Sequence, residues 1–235
     1  MKNSLIAFVS LFLLTTVAFA QNINKMDAAG KRHGAWKGTY EKSKRPRYEG
    51  TFDHGKETGT FKFFEDDKNS TLGATRIFAA DGSCITTFID AKGKKISEGK
   101  EVNKLKEGEW KFYAEGTEKL LSTEPYTGGK INGVKKVYFP AGNLAEEAVY
   151  VNGIKEGTYK QYNEKGTILE ESTYKNDILD GPVTFRNAHG EVVSKGQFVA
   201  NKKAGKWQFF EKGKMVKEED MTNKKVQLAR KERKN

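Results

Sequence analysis

Three histidines, one cysteine and a scatter of carboxylates are the residues of this 235-residue chain with the means to do chemistry. Metal binding would require paired His or Cys residues at the short separations that put ligands on one turn or hairpin. His33, His54 and His189 show no such pairing, and His33 and His54 each precede a glycine. They read as solvated turn residues, so no metal and no cofactor is expected. Cys84 has no histidine nearby to generate a thiolate, and it reads as a small buried apolar residue. As the sole cysteine it makes no internal disulfide. Gly55-Lys56, Gly93-Lys94 and Gly129-Lys130 are not followed by Ser or Thr, which excludes a phosphate-cradling loop. The carboxylate pairs Glu146/Glu147, Glu170/Glu171 and Glu218/Glu219 recur at a fixed offset. A hydrolytic acid–base pair would occur once, in one pocket. Recurrence points instead to pairing with lysines on neighbouring strands, and the chain is expected not to be an enzyme.

The elements that carry these residues are set by an internal repeat. Glu107-Gly108-Glu109-Trp110-Lys111-Phe112-Tyr113 is echoed by Ala204-Gly205-Lys206-Trp207-Gln208-Phe209-Phe210, by Glu156-Gly157-Thr158-Tyr159-Lys160-Gln161-Tyr162 and by Thr58-Gly59-Thr60-Phe61-Lys62-Phe63-Phe64. The anchor glycines are Gly34, Gly59, Gly82, Gly108, Gly133, Gly157, Gly181 and Gly205, spaced by 25, 23, 26, 25, 24, 24 and 24 residues. A second glycine follows eight or nine residues later in most units, and an Asn- or Gly-containing turn about twenty later. Gly and Asn tolerate the positive φ of tight hairpin turns. Each unit therefore reads as strand, turn, strand, turn, and the chain as an all-β, elongated antiparallel meander of about eight hairpin repeats.

Within a strand, Trp110 and Phe112 alternate with Glu109 and Lys111, the pattern of a sheet buried on one face. Tyr113, Tyr138, Tyr162, Phe64 and Phe210 break that parity, either after a bulge or by covering the second face. Two surfaces are candidates for binding. Trp36, Phe61, Trp110, Tyr159 and Trp207 form an aromatic row, which is either the packed face of the sheet or a stacking groove for sugar rings or an extended peptide. Lys111, Lys135, Lys136, Lys160 and Lys206 suggest a basic face, which is either a solubilising coat or a docking site for a protein or an anionic envelope component such as a lipid or glycan.

The ends have their own character. Lys2, an apolar run from Leu5 to Phe19 and Ala18-Phe19-Ala20 read as a secretory signal over 1–20, cleaved before Gln21; an uncleaved anchor is the alternative. Secretion or a periplasmic location follows from the first reading. Residues 21–33 form a lead-in, 34–221 the repeat domain and 222–235 a basic tail, which is either a short capping helix or a frayed end. The net charge is +11, or +10 once Lys2 is removed with the signal. Outside the cytoplasm such a charge meets anionic lipid, polysaccharide or protein rather than nucleic acid.

Gly-x-Trp-x-x-Tyr, a glycine turn, then a Glu-containing strand ending in Tyr-x-Asn-Gly, resembles the MORN repeat, most clearly over Gly108 to Lys130, Gly133 to Ile154 and Gly157 to Asp177. Within that family it looks like the bacterial variant of YwqK-family antitoxin-type proteins. The resemblance implies an elongated β-meander, a binding or scaffolding role, and no catalytic motif to carry over. Antitoxin-like neutralisation of a partner toxin is the other function the resemblance implies.

Overall fold

The computed structural model describes residues 23–222. The signal expected over 1–20, the first two residues of the lead-in, and residues 223–235, where the sequence leaves a capping helix or a frayed end open, lie outside the described residues. The described residues contain no helix and form eighteen strands: β1 (Lys25–Met26), β2 (Arg32–Thr39), β3 (Pro46–Asp53), β4 (Lys56–Phe64), β5 (Leu72–Phe78), β6 (Cys84–Ile89), β7 (Lys95–Val102), β8 (Leu105–Tyr113), β9 (Leu120–Thr127), β10 (Lys130–Ile131), β11 (Gly133–Tyr138), β12 (Leu144–Val151), β13 (Ile154–Tyr162), β14 (Ile168–Lys175), β15 (Ile178–Arg186), β16 (Val192–Val199), β17 (Lys202–Glu211) and β18 (Lys214–Asp220). Each strand pairs antiparallel with its neighbour in sequence, except that β9 bonds both β10 and β11. The result is one open meander, the architecture that the repeat spacing predicts.

Turn chemistry sets the register along one long edge. His54-Gly55, Asn103-Lys104, Gly128-Gly129, Asn152-Gly153, Asn176-Asp177 and Ala200-Asn201 all have positive φ at both residues. These are two-residue turns whose twist matches that of the flanking strands. Five of the six turns also bond the hairpin before them: the amides of Gly55, Gly129, Gly153, Asp177 and Asn201 donate to the carbonyls of Arg32, Lys106, Ile131, Lys155 and Leu179 at 2.7–3.0 Å. Neighbouring units are thus locked at their turns as well as along their strands.

Positive-φ glycines inside the strands do a second job. Gly108 has φ +68, and residues 108–110 of β8 face only Gly99 of β7, between the pairs Lys100↔Glu107 and Glu98↔Lys111. This bulge frees the Lys100 carbonyl, which accepts the Trp110 indole N–H at 2.9 Å. Trp207 repeats the arrangement with the Gln197 carbonyl at 3.2 Å. Gly82 does not belong with these glycines, although its spacing groups it with them. It lies in the loop between β5 and β6, where its amide donates to the Ala79 carbonyl. β6 starts only at Cys84 and pairs with β5 without a bulge, so Thr86 and not Cys84 stands opposite Gly99.

The aromatic residues of reversed parity are explained by a second register shift, immediately before Phe64, Tyr113, Tyr138, Tyr162 and Phe210. Tyr113 and Tyr162 then reach the second face and donate to Glu98 and Glu147 at 2.5 and 2.7 Å. Burial, then the bonded glutamate, pushes both phenols up to about 12.

An exposed sheet edge is a template for unwanted pairing, and the lead-in occupies the outer edge of β2. Asn24 acts there as a short surrogate strand. Its side chain accepts from the Lys37 amide at 2.8 Å and donates to the Lys37 carbonyl at 3.0 Å. The Trp36 indole donates to the Lys25 carbonyl at 3.0 Å.

Candidate binding surfaces

The aromatic row is the core. Directly paired residues share a face of the sheet, and one face carries Trp36, Gly50, Phe61, Arg76, Thr86, Gly99, Trp110, Glu124 and, further along, Ala148, Tyr159, Ser172, Val183, Gly196 and Trp207. Trp110 and Trp207 are 0% exposed and Phe61 is 1% exposed. A single-layer sheet buries rings this completely by laying them on glycine. A Cβ on Gly50, Gly99 or Gly196 would lie 2.4, 2.4 and 2.5 Å from ring atoms of Phe61, Trp110 and Trp207. Elsewhere in the row the floor is a small residue other than glycine: Ala148 faces Tyr159 and Ser172 faces Val183.

Basic side chains close the row from above. Lys106 Nζ lies 4.5 Å from the Trp110 ring centre, Lys203 3.9 Å from Trp207, and Arg32 Cζ 4.8 Å from Trp36. Lys155 sits between Tyr159 and Tyr174 at 3.8 and 3.6 Å. Burial pushes the Lys106 and Lys155 ammonium groups below the usual lysine range, while the ring faces attract them. Phe61, Trp110 and Trp207 therefore offer no stacking surface in this state; Trp36 and Tyr159 remain half-buried.

The five lysines of the expected basic face do not form one face. Lys135 stands in the aromatic slot, directly opposite Ala148, and pairs with the buried carboxylate of Glu124 at 2.7 Å. Lys206 alternates with the buried Trp207 and so lies on the second face, where it pairs with Glu218 at 2.9 Å. Lys111, Lys136 and Lys160 do share the second face, as members of a ladder with one residue from every strand except β1 and β10. It reads Lys37, Glu49, Lys62, Thr75, Thr87, Glu98, Lys111, Thr123, Lys136, Glu147, Lys160, Glu171, Thr184, Lys195, Gln208, Glu218, each directly opposite the next. Glu49 lies 3.5 and 3.2 Å from Lys37 and Lys62, and Glu147 lies 4.0 Å from Lys136. Such pairs each contribute only about 0.2–1 kcal/mol. The ladder sets the charge pattern of a face; the buried row holds the fold.

One cluster of potential ligands was not evident from sequence spacing. His33, Asp53 and His54 converge at the turn edge, with one donor atom from each lying within 4.8 Å of the others. The two imidazole rings are 4.6 Å apart. Asp27 of the lead-in joins them: its Oδ2 is 2.6 Å from His54 Nδ1, and its Oδ1 accepts from the Ala29 and Lys31 amides, both at 2.9 Å. Stacking of successive hairpins, rather than local sequence spacing, brings His33 to His54.

No curated protein matches the chain. Residues 131–152 and 155–176 match the family model described as MORN repeat variant. The first match runs from Ile131 of β10 through β11 and β12, and the second covers β13 and β14 but for Ile154. These two units are similar to repeats of the MORN variant type, and the other hairpins follow their plan of strand, turn, strand and turn.

Proposed function

We propose that the chain is a non-enzymatic binding scaffold that works outside the cytoplasm and engages a protein partner through its ladder face. The observation that carries this reading is the in-register alternation of Lys and Glu, with Thr and Gln between them, across the whole sheet. A polyanion is attracted by a field of one sign, and this face has none. A strip of alternating charge is complementary to another patterned surface, which selects a partner and fixes its register. The recurring glutamates meet this structural purpose, standing opposite lysines of neighbouring strands. Export rests on the apolar run and Ala18-Phe19-Ala20.

Cross-linking in the envelope of the producing cell tests both parts. The recovered chain should begin at Gln21. Lysine-reactive reagents should join Lys111, Lys136 or Lys160 to one protein, and the triple variant Lys111→Glu/Lys136→Glu/Lys160→Glu should lose that product while keeping its β-sheet circular dichroism. A cross-linked secreted toxin would make the scaffold an antitoxin of the YwqK type. Capture by anionic lipid or glycan that persists in the triple variant, with no protein product, would overturn the proposal. An intact Met1 on a cytosolic pool would overturn export.

A further inference from the structure

The first hairpin differs from its sisters where the fold does not require it to. In four later units, the residue before the bulge glycine accepts the amide of the first turn residue. Glu107 accepts from Gly128, Asn132 from Asn152, Glu156 from Asn176 and Asp180 from Ala200, at 2.7–3.3 Å. In the first unit the same bond runs from the His54 amide to His33 Nδ1, at a longer 3.4 Å. The first turn residue is Asn103, Gly128, Asn152, Asn176 or Ala200 elsewhere, and His54 here. The residue before the turn is Val102, Thr127, Val151, Lys175 or Val199 elsewhere, and Asp53 here. The sister units show that the turn forms without imidazole at either position and without a carboxylate at the third. In the first hairpin, all three positions carry metal-ligand chemistry.

Their geometry is close to that of a coordination site. Asp53 Oδ1 lies 3.5 Å from His33 Nδ1 and 3.8 Å from His54 Nε2. With metal–nitrogen bonds of about 2.0 Å, ligand atoms at the corners of a tetrahedron are about 3.3 Å apart. Rotation of the exposed side chains closes the difference, with His33 Nδ1 exchanging its long bond from the His54 amide for the metal. His54 is already oriented for the task, because its Nδ1 is held by Asp27. A histidine that binds metal through one nitrogen commonly gives the other to a carboxylate, which fixes the ring. Asp27 is itself held by two backbone amides. Two imidazoles with a single carboxylate suit a borderline transition ion, whereas calcium and magnesium prefer more oxygen donors.

We propose that His33, Asp53 and His54 form a site for a divalent transition-metal ion of the zinc class, with Asp27 as the positioning residue for His54. Three protein ligands leave a fourth corner open to solvent. The ion would tie the lead-in to the first hairpin at the edge of the sheet.

The test is titration of the tag-free full-length chain with Zn²⁺ by calorimetry, and with Co²⁺ by visible absorption, which reports the coordination geometry. One equivalent should bind, with the intense visible bands of four-coordinate cobalt. His33→Asn and His54→Asn place at each position a residue that a sister unit already uses, so both variants should keep the β-sheet spectrum. Each should weaken Zn²⁺ binding by tenfold or more, and Asp27→Asn by about 10–100-fold, as for other outer partners of ligating histidines. His189→Asn should change nothing, and Mg²⁺ should not compete. Failure to bind Zn²⁺ at millimolar concentration would overturn the site, as would unchanged binding in the His33→Asn/His54→Asn double variant. Loss with His54→Asn but not with His33→Asn would overturn the three-ligand assignment.

Discussion

Replacing Trp110 or Trp207 with alanine should destabilise the protein by about 3–5 kcal/mol, the range for deleting a buried aromatic side chain. Both rings are 0% exposed, both donate an indole hydrogen bond to a carbonyl freed by a bulge, and both carry a lysine over the ring face. Truncation removes all three contacts and exposes a glycine floor that no other side chain fills. Because each unit leans chiefly on its neighbours, hydrogen exchange should rise first in β7 and β8 for Trp110→Ala and in β16 and β17 for Trp207→Ala. Denaturant titration measures the loss. An unchanged midpoint would mean that the rings are a surface groove and not the core.

Gly99→Ala should cost about 1–3 kcal/mol, the range for overpacking a filled site. The added carbon would sit 2.4 Å from Trp110 ring atoms. The φ of Gly99 is not positive, so the penalty is collision and not backbone strain. The protein contains its own remedy: Tyr159 faces Ala148 two units along. Adding Trp110→Tyr to Gly99→Ala should therefore cost less than the two single changes together. Contacting residues couple in this way, and strict additivity would contradict the floor-and-ring pairing.

The repeat was legible because glycine, asparagine and alternating aromatics state turn and face directly. Spacing alone could not separate a bulge glycine from a turn glycine, and Gly82 was grouped with the wrong class for that reason. The glycine floors were hidden by register. Gly50, Gly99 and Gly196 each stand eleven residues before their ring, a separation with no meaning until the strands are paired. Lys135 was read with the basic residues, yet counting from Gly133 puts it in the slot that Trp110 and Trp207 fill in their units. Parity did place Lys111, Lys136 and Lys160 together. The recurring Glu147 and Glu171 do stand opposite lysines as expected, but only the register puts them in one row with Lys136 and Lys160 and removes most of that row's net charge. His33 and His54 met the same obstacle, because the distance that matters between them is set by the stacking of hairpins.

The repeats lie in one open layer, which keeps the ladder face and the turn edge available to partners. Small-angle scattering of residues 21–235 measures this arrangement. Strands of eight residues stacked at about 4.8 Å extend the sheet to about 70 Å, for a radius of gyration of about 22 Å. A compact domain of this length would give about 17 Å. A value near 22 Å with the asymmetric distance distribution of a slab is the predicted result. A value of about 17 Å, with a symmetric distribution, would mean that the sheet folds back on itself and covers the face assigned to binding.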